Sequence, residues 1–283
     1  MSRPVSHAMS RRLWRVLALL LAVQSLVLSF TTQTTENFLN ACIVWGCALL
    51  VLDGDPLPRR LQPTLPGCVL GTVLIVAVLW RSPTLVSGDK IRYLLPLMTG
   101  LGLALLARPW RQLRQFGPVF IIFSLLPLLR LLTSKLPVAE LSQITAWLSG
   151  MLLMLCGFPV QRLGQSLYIP GGGVAVAGAC SGSAIMIQLM VVSMIFMVAF
   201  PMRYSWQNLA MIVTAPLLAL LVNGVRIALL ALITASSYSG KTWWFDFFHH
   251  EWGSQLFSGT AMVVFVVLYV HWQGRQVARL LGR

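Results

Sequence analysis

Charge is scarce in this chain. Lys and Arg number 21 and Asp and Glu only seven, together 10% of 283 residues, where soluble domains carry about 25%. So few charges cannot cover a surface facing water on all sides, which excludes a water-soluble globule. Internal repeats, low-complexity tails and polar stretches long enough for a separate soluble domain are lacking too. The five cysteines (Cys42, Cys47, Cys68, Cys156 and Cys180) are odd in number and irregular in spacing, which excludes a disulfide framework. They form no ligand cluster with the four histidines, so neither a metal nor a cofactor is expected.

What the chain has is apolar sequence. Hydrophobic types make up 57% and mean hydropathy is +0.80. The apolar runs recur at the length that crosses a hydrocarbon core of about 30 Å. They predict spans at residues 14–30, 38–52, 66–80, 91–107, 117–132, 183–200, 209–236 and 254–272. The fold expected is an all-α polytopic membrane protein of about eight transmembrane helices, forming a single integral domain over residues 1–283. Its first span follows Arg11, Arg12 and Arg15 without a small-residue cleavage site, so it is read as retained.

The net charge is +14, but the basic residues sit in short clusters between apolar runs. They therefore report topology, and no nucleic-acid partner is expected. Arg3, Arg11, Arg12 and Arg15 put the N-terminus inside, with Arg59, Arg60, Arg108, Arg111 and Arg114 on inner connections. Arg203 puts the connection before the last two spans inside, and Arg275, Arg279 and Arg283 put the C-terminus inside. This parity leaves the amphiphilic stretch 139–157 without a simple crossing, so it is expected in the outer interface or as a re-entrant segment. After it, Gly171-Gly172-Gly173 separates two short alternating runs, Ser166–Ile169 and Val174–Ala177, which predicts a small extended hairpin. Unpaired extended backbone cannot face lipid, so the hairpin belongs on the outer face.

Three constellations could carry chemistry. Ala179-Cys180-Ser181-Gly182-Ser183 opens a long apolar helix. A thiol there faces the positive end of the helix dipole, which favours the thiolate, and Ser181 or Ser183 can cap the helix. The bland alternative is an inert buried thiol beside a cap. Arg226 stands in the middle of an apolar run, which costs at least ~2.5 kcal/mol at the bilayer centre. It must face the interior and find an anion, a water cavity or a developing negative charge. The spans offer it no acid, and Asn223 lies one turn away on nearly the same face. Finally, Trp243 to Gly253 is an aromatic run holding Asp246, His249, His250 and Glu251. Histidine titrates where proton transfer near neutrality needs it, although the rings equally suit an interfacial belt.

The charge-derived orientation puts Cys180 and His249 at the same outer face. Arg226 lies about 15 Å below the outer end of its helix at 1.5 Å per residue, so its side chain reaches up or the site is sunk. A Cys nucleophile, a His base and an Arg are the parts of an acyl-transfer site.

At these residues the chain resembles the exosortase/archaeosortase family of membrane-embedded cysteine enzymes. The resemblance rests on A-C-S-G at Ala179–Gly182 and on N-x-x-R-I at Asn223–Ile227. It rests also on Phe248-His249 followed by Gly253, and on an approach segment with Gly157-Phe158-Pro159-Val160 and Pro170–Gly173. It covers roughly residues 115 to 270, which suggests N-terminal helices over 1–114 and a core over 115–273. It implies Cys180 as nucleophile, with Arg226 and His249 as the other catalytic residues. His250, Asn223 and Ser181 stand as supporting or alternative groups. It further implies an enzyme of the inner membrane whose catalytic residues face outward. Its partners besides the lipid bilayer would be exported proteins bearing a C-terminal sorting signal, of Pro-Glu-Pro type in the bacterial branch, with a hydrophobic helix and basic tail. Such an enzyme cuts near the motif, by hydrolysis or transpeptidation. The chain departs from the family in Ser183-Ala184, where many relatives carry Leu-Arg, and in Gly178, where an acid is common.

Two other readings stand beside this one. A transporter or polysaccharide-export subunit would use Arg226 to bind an anion and Cys180 only for packing. A rhomboid-like serine protease would use Ser181 or Ser183. Cys42 and Cys47 read as packing, His7 and His271 as solvent or interface residues, Glu251 as an interfacial acid or a support for a histidine. Trp14, Trp45, Trp80 and Trp110 read mostly as interface anchors.

Overall fold

A computed structural model describes residues 10–32, 35–54, 61, 63–86, 89–133, 135–200, 202 and 205–280. Arg3, His7, Arg59, Arg60, Arg203 and Arg283 lie outside the described residues. The fold is all-α apart from one small sheet. It forms two compact units, Met1–Leu131 and Leu132–Arg283.

The first unit holds α1 (Arg11–Thr32), α2 (Thr35–Gly54), α3 (Leu65–Arg81), α4 (Leu95–Ala107) and α5 (Gly117–Thr133). The side chain of Thr64 caps α3 by accepting the Gly67 N–H, and proline occupies the first turn, where its missing N–H costs nothing. Helix α4 starts later than the hydropathy suggests because Lys90–Tyr93 forms a separate 3-10 turn before it. Two of the expected interface anchors are core residues instead. Trp14 and Trp45 are each 2% exposed. Their indole N–H groups donate to Leu103 O at 2.8 Å and Ser25 Oγ at 3.0 Å, which satisfies the one polar atom that would otherwise pull the ring to an interface. Trp80 and Trp110 are exposed at helix ends, as expected.

The second unit runs α6 (Val138–Leu155), β1 (Gln161–Leu163), β2 (Ser166–Ile169), β3 (Gly172–Ala175), α7 (Ser183–Ala199), α8 (Ser205–Ala235), α9 (Lys241–His249) and α10 (Glu251–Leu280). The sheet is antiparallel in the order β1-β2-β3. The expected hairpin exists, but β3 pairs earlier than expected: Ile169 faces Gly172, leaving Pro170 and Gly171 as the turn. Two of the three glycines thus lie within the strand. The reason is contact with the end of α8, since a Cβ on Gly172 would fall 2.6 Å from the Ala235 nitrogen. The edge strand β1 carries no alternation, its three residues all being exposed, so periodicity had no hold on it.

Helix α6 is built inside-out. Its polar residues Ser142, Thr145 and Ser149 are buried, whereas Ile144, Trp147 and Met151 are exposed. An interfacial helix would show the reverse, so the expected interfacial placement gives way to a helix whose apolar face suits lipid. Among the described residues, five helices are long and apolar enough to cross a membrane: α1, α3, α6, α8 and α10. Three shorter apolar helices, within α2, α4 and α7, accompany them. The chain is a polytopic membrane protein.

Candidate active site

The second unit gathers its chemistry around the middle of α8. Between β3 and α7 the chain makes a short 3-10 turn, Gly178–Ser181, and then Gly182 at φ +85°. That left-handed angle favours glycine, and the neighbour demands it as well: a Cβ there would meet Asn223 Nδ2 at 2.7 Å. Cys180 is thus set in a turn ahead of α7 and not in its first helical residue. Cys180 is 2% exposed and belongs to a buried cluster that includes Val176, Ile227, Leu230 and Ala231, with Phe248 packed against that cluster.

Two side chains hold this turn by consecutive carbonyls. Asn223 Nδ2 donates to Cys180 O at 2.9 Å, and Thr145 Oγ1 donates to Ser181 O at 2.9 Å. Ser181 is itself fully buried and donates to Ser183 Oγ at 3.1 Å, so its hydroxyl is engaged with a neighbour in the turn.

Arg226 is 1% exposed, and its recorded acceptors are oxygens of the chain itself. Its Nε donates to Phe248 O at 3.0 Å and its Nη2 to His249 O at 2.8 Å. Nη1 reaches Asn223 Oδ1 at 3.4 Å. The first two acceptors end α9, where free carbonyls form the negative pole of the helix and favour a cation. Residue types along the spans cannot reveal such a partner, because backbone supplies it. Gly253 permits the arrangement: any side chain there would run into the Phe247 carbonyl at the reversal from α9 into α10.

Arg226 does not reach upward. It stands nine residues before Ala235, so about 14 Å from that end of α8, and the turn of Cys180 and the end of α9 come to its level. The half-buried His249 ring stacks on Phe245, centroids 5.2 Å apart and 13° from parallel, and meets the His250 ring edge-on at 5.0 Å. His250 is exposed, with Nε2 3.8 Å from Asp246 Oδ1. Sequence reasoning missed Thr145, which lies outside every motif, and gave Phe245 no role beyond one ring of the aromatic run 243–253. Only the polar stripe at 142, 145 and 149 hinted at a buried face of α6.

The electrostatics differ from those expected of a thiol at a helix N-terminus. Burial pushes the Cys180 thiol above its ordinary value, and the nearby Arg226 guanidinium pulls it only partway back. His249 moves the other way: burial, then His250 and Arg226, hold the imidazole below its ordinary 6.5, opposed by Asp246. Both directions favour the uncharged forms, a thiol at Cys180 and a neutral imidazole at His249. Among the described residues, no group of three His, Cys, Asp or Glu could hold a metal ion.

Fold and site thus define a polytopic membrane protein with Cys, Arg and His drawn to one level of its helices. Residues 31–267 match the family model described as Transmembrane exosortase (Exosortase_EpsH), and the chain belongs to that family. The match extends well before residue 115, through helices that motif reading treats as generic spans. No curated protein and no solved structure matches the chain.

Proposed function

We propose that this exosortase is a cysteine peptidase or transpeptidase. Its substrates would be exported proteins with a C-terminal sorting signal, of Pro-Glu-Pro type, followed by a transmembrane helix. It would act at the outer side of the inner membrane with both termini in the cytoplasm, the orientation the basic clusters favour. One observation carries the reading: Asn223 donates to the Cys180 carbonyl and accepts from Arg226, whose Nη2 donates to the His249 carbonyl, so one hydrogen-bonded chain joins the three residues.

In the proposed reaction, His249 takes the thiol proton as Sγ attacks the carbonyl carbon of the scissile peptide. A neutral imidazole suits that step, and deprotonation as the substrate arrives removes the need for a resident thiolate. The buried positive charge of Arg226 stabilises the new thiolate and the oxyanion that follows. His249 returns the proton to the leaving amine nitrogen, the C–N bond breaks and a thioester remains on Cys180. Water or an amine then attacks the thioester carbonyl, and the thiol is regenerated.

The reading is tested by trapping. Membranes incubated with a reporter carrying the signal should yield a covalent reporter–enzyme species that hydroxylamine releases and Cys180→Ala never forms. A hydroxylamine-released species of equal abundance on Cys180→Ala would overturn it. Each of the three Arg226 side-chain nitrogens donates once to the chain itself, an engagement that supports a guanidinium fixed in place.

A further inference from the structure

Helical hydroxyls in this chain follow a habit. Thr99, Ser124, Ser149, Thr214 and Thr260 each donate to the carbonyl four residues earlier in their own helix, the usual resting place of such a group. Thr145 breaks it. Fully buried on α6, it donates instead to Ser181 O, 36 residues along the chain.

The acceptor adjoins the carbonyl of Cys180 that Asn223 holds from α8. The two donors therefore fix successive peptide planes, those of Cys180–Ser181 and Ser181–Gly182, from two different helices. The turn they hold is only four residues long and ends at a left-handed glycine, so it cannot hold itself as a longer helix would. Asn223 fixes the plane that follows Cys180 and Thr145 the next one, so the turn cannot swivel about Ser181, and the direction of the Cys180 Cα–Cβ bond and the approach of Sγ are restricted. The two anchoring helices are themselves in tight contact: a Cβ on Gly224 would stand 3.0 Å from the Leu148 side chain.

We infer that Thr145 is a positioning residue for the nucleophile: its hydroxyl, acting through Ser181 O, sets the Cys180 thiol for attack. The inference rests on the reading of Cys180 proposed above. Thr145 touches no reacting atom. Its loss should lower turnover and leave substrate docking intact, because misplacement of about 1 Å costs roughly a hundredfold in rate.

The test compares reporter processing by the full-length protein in membranes for wild type, Thr145→Val, Thr145→Ser, Ser149→Ala and Cys180→Ala, at equal protein level. Valine keeps the shape and removes the donor. Thr145→Val should lower kcat roughly tenfold or more with KM within about twofold, and Thr145→Ser should restore it. Ser149→Ala removes an equally buried hydroxyl from the same helix, one bonded within α6, and should keep wild-type kcat. If the valine variant fails to accumulate, Thr145→Ser against Thr145→Ala gives the same contrast. Wild-type kcat in Thr145→Val beside an inactive Cys180→Ala would overturn the positioning role alone. So would a loss in Thr145→Ser or Ser149→Ala as large as that in Thr145→Val. Processing by Cys180→Ala would overturn the nucleophile reading, and with it any nucleophile for Thr145 to place.

Discussion

The side-chain amide of Asn223 donates to the Cys180 carbonyl at 2.9 Å, and its oxygen accepts from Arg226 Nη1 at 3.4 Å. One fully buried residue thus joins the turn of the thiol to the guanidinium that holds the end of α9. Asn223→Asp keeps the acceptor and replaces the donor by an oxygen facing a carbonyl. A buried polar group left unpaired costs about 1–3 kcal/mol. We expect Asn223→Asp to lose about tenfold or more in processing rate and to melt earlier, checked by reporter cleavage and by thermal unfolding in detergent.

Arg226→Lys keeps the charge and loses the fork. A single ammonium cannot reproduce three N–H donors aimed at Phe248 O, His249 O and Asn223 Oδ1, and bonds from a charged donor contribute about 1.5–3 kcal/mol each. The variant should process roughly a hundredfold more slowly. It should also be cut faster by added protease between α9 and α10, because the end of α9 has lost its anchor. Wild-type protease resistance would show that the guanidinium does not hold that helix.

The acid side of the pH–rate profile should follow His249. The step needs the unprotonated ring, so activity rises as pH climbs through the His249 pKa, which lies below the ordinary 6.5. His250 disfavours the charged ring and Asp246 favours it. Hence His250→Gln should move the acid limb to higher pH and Asp246→Asn to lower pH. Opposite shifts, read from kcat/KM against pH, would remove His249 from the role of base.

Gly182 stands at φ +85° with Asn223 where a Cβ would go. Gly182→Ala adds left-handed strain of about 1–2 kcal/mol and pushes on the residue that holds the Cys180 carbonyl. Reduced thermal stability together with reduced processing is expected. An alanine variant equal to wild type in both would mean that the turn relaxes freely.

The helical membrane fold was legible because hydropathy alone dictates it, and the positions of Cys180, Arg226 and His249 were legible as motifs. What remained hidden has physical causes. The partners of Arg226 are backbone carbonyls of Phe248 and His249, and backbone carries no residue code. The polar stripe of α6 reads as amphiphilic from composition, yet it faces inward toward Ser181; periodicity reveals a face and not what covers it. Trp14 and Trp45 look like belt residues until their N–H partners on other segments are known. At Cys180 the helix-start position favours the thiolate, whereas burial, which residue order does not reveal, pushes the thiol up against the pull of Arg226.

The most direct measurement of the central claim is reporter processing in cells carrying wild type, Cys180→Ala or Cys156→Ala, followed by reporter size on a gel. Both sites are free cysteines, one buried in the turn and the other exposed after α6. The account predicts an uncut reporter with Cys180→Ala alone and normal cleavage with the other two. Equal cleavage in all three would make Cys180 a packing residue and contradict the account.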